Sequence, residues 1–503
     1  MLSSGVRRNA ARCAAIAPYR TGYAFAKDAL AGRRIFFRSY IHADTGVTTT
    51  MGINDQKLIV ARFAKKFDAL ILAEKEHKIA IIIRKYNSKY DFQPTNFQAL
   101  NDYFFIWIGS IKLVALEYID IWREAIGING RVTIYYDSHF LLFNFYTSTF
   151  KLLYGVTNET PMERIIEWQT TFKNTMDDWV RVGHSFDEAL ILATHQRAPS
   201  VSSKLQRSLT QARQHISVLK TKYSFIDIRD DTSVFFDPFF YDIYYLELTL
   251  RGNAAAAADI LRLLILYQHG GVYIDVDTLP SLIAIYGPLS ERADYNIQNL
   301  VRSEYFLRRR RQLKNRDASS NADLSLHERY LNEQDASIVP HIIDRASQWN
   351  GPALPAPKIG AHKDLISLAA LETFYEYNNN LLAATKNARL VMIILREIRR
   401  RYKFIFKNKF DLGPNDNIPQ SHYLYRLSNY RYDTMDAKDN VTLFLTGPIL
   451  ILEVILGVAY EILSLKKSIS PLAISYALRL NCISVACCEQ TSYTPEHAKS
   501  SWM

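Results

Sequence analysis

The chain has 503 residues, 48% of them hydrophobic and 22% charged, and a formal net charge of +11. That length can bury a large core and exceeds the usual size of one compact unit, so one large domain with helical extensions and two comparable domains both fit. Much of the charge is confined to residues 1–40, which hold eight Lys or Arg against one acid, Asp28. The remainder is too weakly basic for a nucleic-acid-binding body, which needs a basic face and not a basic tail.

Residues 1–40 are Arg-rich and acid-poor, with Ala between the charges and no continuous apolar core of a secretory signal. They fit a disordered targeting or export leader, of mitochondrial or bacterial-effector type; a basic surface helix is the alternative. The cysteines, Cys13, Cys482, Cys487 and Cys488, form no Cys-x-x-Cys pair and have no His at ligand spacing. Reduced thiols and no zinc site are the simpler reading. Within 41–100, "DQKLIVARFAKKFDALILAEKEHKIAIIIRK" (55–85) has helical apolar spacing with Lys and Arg to one side. This predicts a small helical bundle or a membrane-surface helix, with an ordinary surface helix of a helical subdomain as the plainer reading.

Next, "YFFIWIGSI" (103–111) predicts a buried strand, "KLVALEYIDIWREA" (112–125) an amphipathic helix and "RVTIYYDS" (131–138) a second strand. A β-α-β unit points to a parallel sheet and the α/β class. Residues 140–225 read as mostly helical, with a loop at "APSVSS" (198–203). The helix "NAAAAADILRLLILYQHG" (253–270) meets the break at Gly270–Gly271 and then the strand "VYIDVD" (272–277). A second insertion, about 300–345, carries the run Arg308–Arg311 and reads as a charged helix and loop. "VTLFLTGPILILEVILGVAYEIL" (441–463) comes nearest to a membrane span, but Gly447–Pro448 breaks it and it carries Glu453 and Glu461. It is predicted to be a buried strand, a turn and a helix.

The chemistry gathers at 259–277. Residues two apart in a strand share a face, so Asp275 and Asp277 should project together where open α/β sheets bind ligands. Two hard oxygen donors there suit Mg²⁺ or Mn²⁺ shared with substrate phosphates; a carboxylate pair without metal is the other option. A haloacid-dehalogenase phosphatase also begins with Asp-x-Asp but has one more residue before its Thr, whereas Thr278 follows Asp277 directly. Asp259 and Arg262 share a helix face. A surface ion pair is the plain alternative, but the helix is otherwise Ala, Leu and Ile. A carboxylate suits sugar hydroxyls and a guanidinium suits phosphate oxygens.

Taken together, "NAAAAADILRLLILYQHGGVYIDVDTLP" resembles the core of the DXD sugar-nucleotide glycosyltransferases, above all the catalytic domain of the large clostridial glucosylating toxins. "FIWIGS" (105–110), "YYDSHFLLFN" (135–144), "YNNNLLAA" (377–384), "LFLTGP" (443–448) and the Ser-x-Trp of "KSSWM" (499–503) match further family segments in order. The resemblance implies a GT-A-like, Rossmann-like mixed and mainly parallel sheet flanked by helices over 101–503, with helical insertions and an N-terminal helical extension. It implies a UDP-sugar donor and Mn²⁺ or Mg²⁺. Trp107 would stack on uracil, with the Ile106 backbone reading the base edge. Asp259 and Arg262 would hold sugar and diphosphate, Tyr273 the nucleotide, and Asp275 ribose and sugar hydroxyls. Asp277 would ligate the metal, with Asn378 and Ser500 beside it, and Ser500 and Trp502 would close over the leaving phosphate.

The implied reaction retains configuration and glycosylates a protein hydroxyl. Its acceptor would be a host small GTPase, met by a secreted bacterial effector in the host cytosol with possible peripheral membrane contact through the N-terminal helices. The sequence departs from the family at His139, where the toxins have Asn, and at Asn378-Asn379-Asn380, where they have an Asn-Gln-Gly loop; by itself Asn378 reads as a turn residue. Tyr377 and Asn379 lean toward glucose over N-acetylglucosamine. Two alternatives stand: a DXD mannosyltransferase-like enzyme of glycan or glycolipid synthesis, and a non-catalytic membrane-docking adaptor with a degenerate transferase fold.

Overall fold

The computed structural model of the chain describes residues 53–73, 97–280 (except 112, 128, 129 and 232), 359–370, 377–413, 418–432 and 441–478 (except 467). It also describes 487–489, 492–493 and scattered positions within 78–89. The basic leader, the Arg308–Arg311 insertion, Ser500 and Trp502 lie outside the described residues. In chain order the elements are α1 (Ile53–Leu72), β1 (Phe97–Ala99), β2 (Asp102–Trp107), α2 (Leu113–Ile126) and β3 (Arg131–Tyr136). Four helices follow, α3 (Phe143–Tyr154), α4 (Met162–Arg181), α5 (Phe186–His195) and α6 (Pro199–Leu219), then β4 (Ser224–Asp227). Next come α7 (Pro238–Leu246), continued by a wider turn over Glu247–Arg251, then α8 (Ala254–His269), β5 (Gly271–Ile274) and β6 (Leu279–Pro280). The last group is β7 (Gly360–His362), β8 (Ser367–Ala370), β9 (Tyr377–Ala384), α9 (Arg389–Lys407), α10 (Val441–Leu445), α11 (Pro448–Ile462), α12 (Pro471–Ala477), β10 (Cys487–Glu489) and β11 (Ser492–Tyr493).

Among the described residues the main sheet has seven strands in the order β10-β8-β9-β5-β2-β3-β4. β2, β3, β4 and β5 run parallel, whereas β9 runs antiparallel to β5 and β8. This is the mixed, mainly parallel α/β sheet expected. Side chains alternate across it: Phe104, Ile106 and Tyr273 pack into one apolar cluster, Phe105, Trp107, Val272 and Ile274 into the other. All four residues of β5 are buried, as a central strand covered on both faces requires.

The Gly270–Gly271 break has a steric reason. Both glycines have positive φ, 72° and 104°. A Cβ on Gly270 would stand 2.7 Å from the Lys386 amide nitrogen, and one on Gly271 2.7 Å from the Asp102 carbonyl oxygen. Only glycine lets the chain leave α8 and slot between β2 and β9 at once. At the other end of α8, the Asn253 side chain caps the helix by accepting from the Ala256 amide at 2.9 Å.

The structure corrects three element predictions. "APSVSS" is no loop: Pro199 occupies the first turn of α6, where its missing N–H costs nothing. "LFLTGP" is not a strand, because residues 441–445 are helical, Thr442 O accepts from both Thr446 N and Gly447 N, and Pro448 starts α11. A short apolar run does not distinguish a strand from a buried helix. "YNNNLLAA", matched to a loop, is the full length of β9.

α1 turns Ile59, Val60, Phe63, Ala64 and Phe67 into the larger cluster, with the Phe67 ring 4.3 Å from that of Tyr476 on α12. Its exposed side holds Lys57, Arg62, Lys65 and Lys66. The apolar stripe that predicted a bundle or a membrane surface is therefore covered by the protein itself. The segment Val441–Ile462 is long and apolar enough to cross a membrane. Here it breaks at Thr446–Gly447 and buries Leu450, Ile451, Val454 and Ile455 in the same cluster.

Candidate active site

Strand direction brings the candidate residues to one edge. The C-terminal ends of β2, β3, β4 and β5 lie together, and antiparallel β9 brings its N-terminal end to the same side. Trp107, Asp275 and Asn378 to Asn380 thus share an edge. β2 pairs with β3 as far as Trp107–Tyr136, but its pairing with β5 stops at Phe104–Tyr273. The strand order reverses between β2 and β5, and the carboxyl ends of strands at such a switch point are where open α/β sheets take ligands.

β5 ends at Ile274, so Asp275 and Asp277 stand on the turn beyond it and not within the strand. The Asp275 amide donates to Asn380 O at 2.7 Å, and the Thr278 amide closes the turn onto Asp275 O at 3.0 Å. Asp277 is half-buried. Strand parity therefore does not apply to them, although the Asp275 carboxylate still acts on Asp277.

α8 delivers Asp259 and Arg262, and both are buried, at 5% and 3% exposure. Arg262 Nη2 lies 3.0 Å from Asp259 Oδ1, and its Nη1 lies 3.4 Å from Asp275 Oδ1 and donates to Asn379 O at 2.7 Å. The guanidinium sits 4.3 Å from the centre of the Tyr273 ring, and the Tyr273 hydroxyl donates to Asp275. Asp259 also accepts from Asn379 Nδ2 at 2.8 Å and from the Thr446 hydroxyl at 3.0 Å. A solvated surface pair is excluded.

Burial raises the Asp259 pKa to about 6, against the opposing pull of Arg262 and Thr446. Burial first and the Asp275 carboxylate second push Asp277 well above the usual carboxylate range. Burial alone would lower Arg262, but Tyr273, Asp275 and Asp259 outweigh it, so the guanidinium stays charged.

The other candidates fall less evenly. Trp107 is 4% exposed, packs in the cluster on the α2 side, and its buried Nε1 has no hydrogen-bond partner among the described residues. Ile106 is buried on the opposite face. Asn378 is half-buried at the start of β9. The Tyr377 side chain turns into the core and its hydroxyl donates to Ser475 O, so it does not shape a sugar pocket. His139 lines a cleft of about 510 Å³ with Tyr136, Ser138, Arg213 and Lys220. None of Asp259, Arg262, Asp275 or Asp277 lines that cleft.

Three contacts were not foreseen from the sequence, where Asn379 was singled out only for sugar choice and Thr446 and Trp122 not at all. Asn379 ties Asp259 and Arg262 to β9, Thr446 holds the second oxygen of Asp259, and Trp122 donates from Nε1 to Thr278 O at 2.7 Å. The Asn triplet and the Thr-Gly-Pro motif flagged the first two positions without their partners; nothing flagged Trp122.

A family model described as the TcdA/TcdB catalytic glycosyltransferase domain matches residues 102–427. Cytotoxin-L of Paraclostridium sordellii is 28% identical over 202 residues, 35% of this chain and 8% of that protein. Toxin B of Clostridioides difficile is 29% identical over 203 residues, with the same coverage. The match thus spans about 8% of the length of these curated relatives. Among solved structures, the catalytic domain of alpha-toxin from Clostridium novyi superposes with a TM-score of 0.61, at 16% identity over 89% of each chain.

Proposed function

The chain belongs to the TcdA/TcdB catalytic glycosyltransferase domain family, and on that premise we propose that it is a metal-dependent retaining transferase. It moves a sugar from UDP to a hydroxyl of a protein. The observation that carries the reading is the Asp259–Arg262–Asp275 cluster, buried or half-buried at the carboxyl ends of β2 and β5. Asp259, held by Asn379 and Thr446, is a fixed acceptor for sugar hydroxyls. Arg262 is a fixed positive charge that needs no reorganisation as the leaving diphosphate gains charge. Trp107 flanks the base, and the open edge of β2 at Ile106 leaves backbone groups for it. Closure by Trp502 excludes water and favours transfer over hydrolysis.

The residues fit a divalent cation. Asp275 and Asp277 are adjacent hard-oxygen donors, and Asp277 is held up in pKa by burial and by its neighbour, as an uncompensated pair would be. Asp277 would hold Mn²⁺ or Mg²⁺, with Asn378 and Ser500 beside it. When bound, the ion neutralises charge developing on the departing UDP. Glucose is the favoured sugar, an assignment that now rests on Asn379 since Tyr377 faces the core. The acceptor class is a host small GTPase, reached by a toxin or effector in the host cytosol.

The test is nucleotide release from a panel of UDP- and GDP-sugars with Mn²⁺. Slow release from one UDP-sugar, lost in Asp275→Asn with Asp277→Asn, is the expected result. Absence of turnover and of nucleotide binding at every metal concentration overturns the proposal.

A further inference from the structure

The turn that carries Asp275 and Asp277 is anchored at both ends. At its start, the Asp275 amide is bound by Asn380 O on β9. At its end, the Thr278 carbonyl accepts from Nε1 of Trp122 at 2.7 Å, across 156 residues of sequence. Trp122 has no exposed surface, and that nitrogen is its only polar side-chain atom. Thr278 is also fully buried, and Val276 inserts into the same apolar cluster as Trp122. The indole therefore packs in the cluster that Val276 enters and holds the Thr278–Leu279 peptide, one peptide beyond the one that follows Asp277.

We propose that Trp122 is a positioning residue for this turn: its indole N–H fixes the Thr278 peptide and thereby the place of the Asp277 carboxylate. The inference rests on the reading of Asp277 as a metal ligand. Deleting the N–H takes a charge-neutral donor from a buried carbonyl, and the peptide relieves that loss by rotating. Rotation there moves the preceding carboxylate. Outer partners of metal ligands are worth about 10- to 100-fold in affinity, and an effect passed through one peptide belongs at the lower end.

Trp122→Phe keeps an aromatic ring in the cluster and removes the donor. In the full chain with excess UDP, the free-ion electron paramagnetic resonance signal reports Mn²⁺ binding. About tenfold weaker binding is expected, with metal-free UDP binding unchanged. Tyr146→Phe is the matched control, since the Tyr146 hydroxyl is another buried aromatic donor to a backbone carbonyl, that of Thr249. It should leave Mn²⁺ affinity at the wild-type value. If Trp122→Phe does not fold, benzothienylalanine at position 122 replaces N–H by sulfur in a ring of nearly the same shape, with the same expectation. Wild-type Mn²⁺ affinity in the variant, an equal loss in Tyr146→Phe, or a matching loss of metal-free UDP binding overturns the role of Trp122. A wild-type protein that binds no Mn²⁺ with UDP overturns the metal site itself, and this inference with it.

Discussion

Among the helices, Glu247 and Arg251 are completely buried 2.6 Å apart, and Tyr402 and Tyr430 donate to Glu247 at 2.7 and 2.8 Å. At the sheet edge Asp259, Arg262, Asp275 and Asp277 are buried or half-buried, with one guanidinium among three carboxylates. The first group closes on itself, as does the neighbouring set in which Arg400 and Arg401 pair with Glu397 and Glu453. The second does not. A balanced buried pair is a part of the core. An excess of carboxylate at the sheet edge is relieved by proton uptake, as the raised Asp277 shows, or on the proposed reading by an arriving cation, which is how buried charge kept for chemistry differs from buried charge kept for packing.

The comparison breaks most directly at the two aspartates. Asp275→Asn with Asp277→Asn should lower sugar-nucleotide release by about 10²–10³-fold or more. The midpoint of thermal unfolding should change little, because removing the Asp277 charge that burial penalises offsets the loss of the Asp275–Arg262 pair. A large fall in stability would mean that the pair is structural after all. The converse experiment is Glu247→Gln, which leaves Arg251 buried without its countercharge. It should cost about 3–5 kcal/mol in urea unfolding, while the folded fraction keeps its nucleotide-release activity.

Acidity sharpens the contrast next. The folded-state pKa of Asp259 is raised to about 6 by burial. Between the ordinary carboxylate value and 6, the folded chain therefore binds more protons than the unfolded chain, so this group's contribution to stability falls as pH rises through that window and is level above it. Asp259→Asn removes the term. Relative to that variant, the wild type should lose roughly 2–3 kcal/mol between pH 4 and 7, measured as the difference between their urea unfolding free energies. An unchanged difference would show that Arg262, Thr446 and Asn379 cancel the burial penalty.

How legible this was depended on distance along the chain. β2, α2 and β3 follow from apolar runs of the right length, and α8 with its Gly-Gly exit follows from small-residue periodicity and a steric demand at two glycines. Asp259, Arg262, Asp275 and Asp277 were legible as chemical types at local spacings. What failed was long-range. Three consecutive Asn read as a turn, because Asn is at home in turns. Their place in β9 is set by the pairing of 381–384 with β5, more than 100 residues earlier, by the pairing of Asn378 with β8, and by the bond from Asn379 to Asp259. The two acids read as a strand end because nothing local shows that β5 stops at Ile274 and that Trp122 holds the peptide beyond.

Thr446 gives the finest test, since it lies where a predicted strand proved to be a helix end. Its hydroxyl donates to Asp259 at 3.0 Å, and the residue is fully buried. Thr446→Val keeps the branched shape and deletes only the donor. The cost should be about 1.5 kcal/mol, the low end for a hydrogen bond to a charged group, because Arg262 and Asn379 still hold the other Asp259 oxygen. Since that bond pulls the Asp259 pKa down, its loss should move the acid-side limb of nucleotide release to higher pH. A stability loss without that movement would place Thr446 with the closed, structural charges around Glu247. Both together would place it with the open edge, as a residue that keeps a sugar-facing carboxylate ionised.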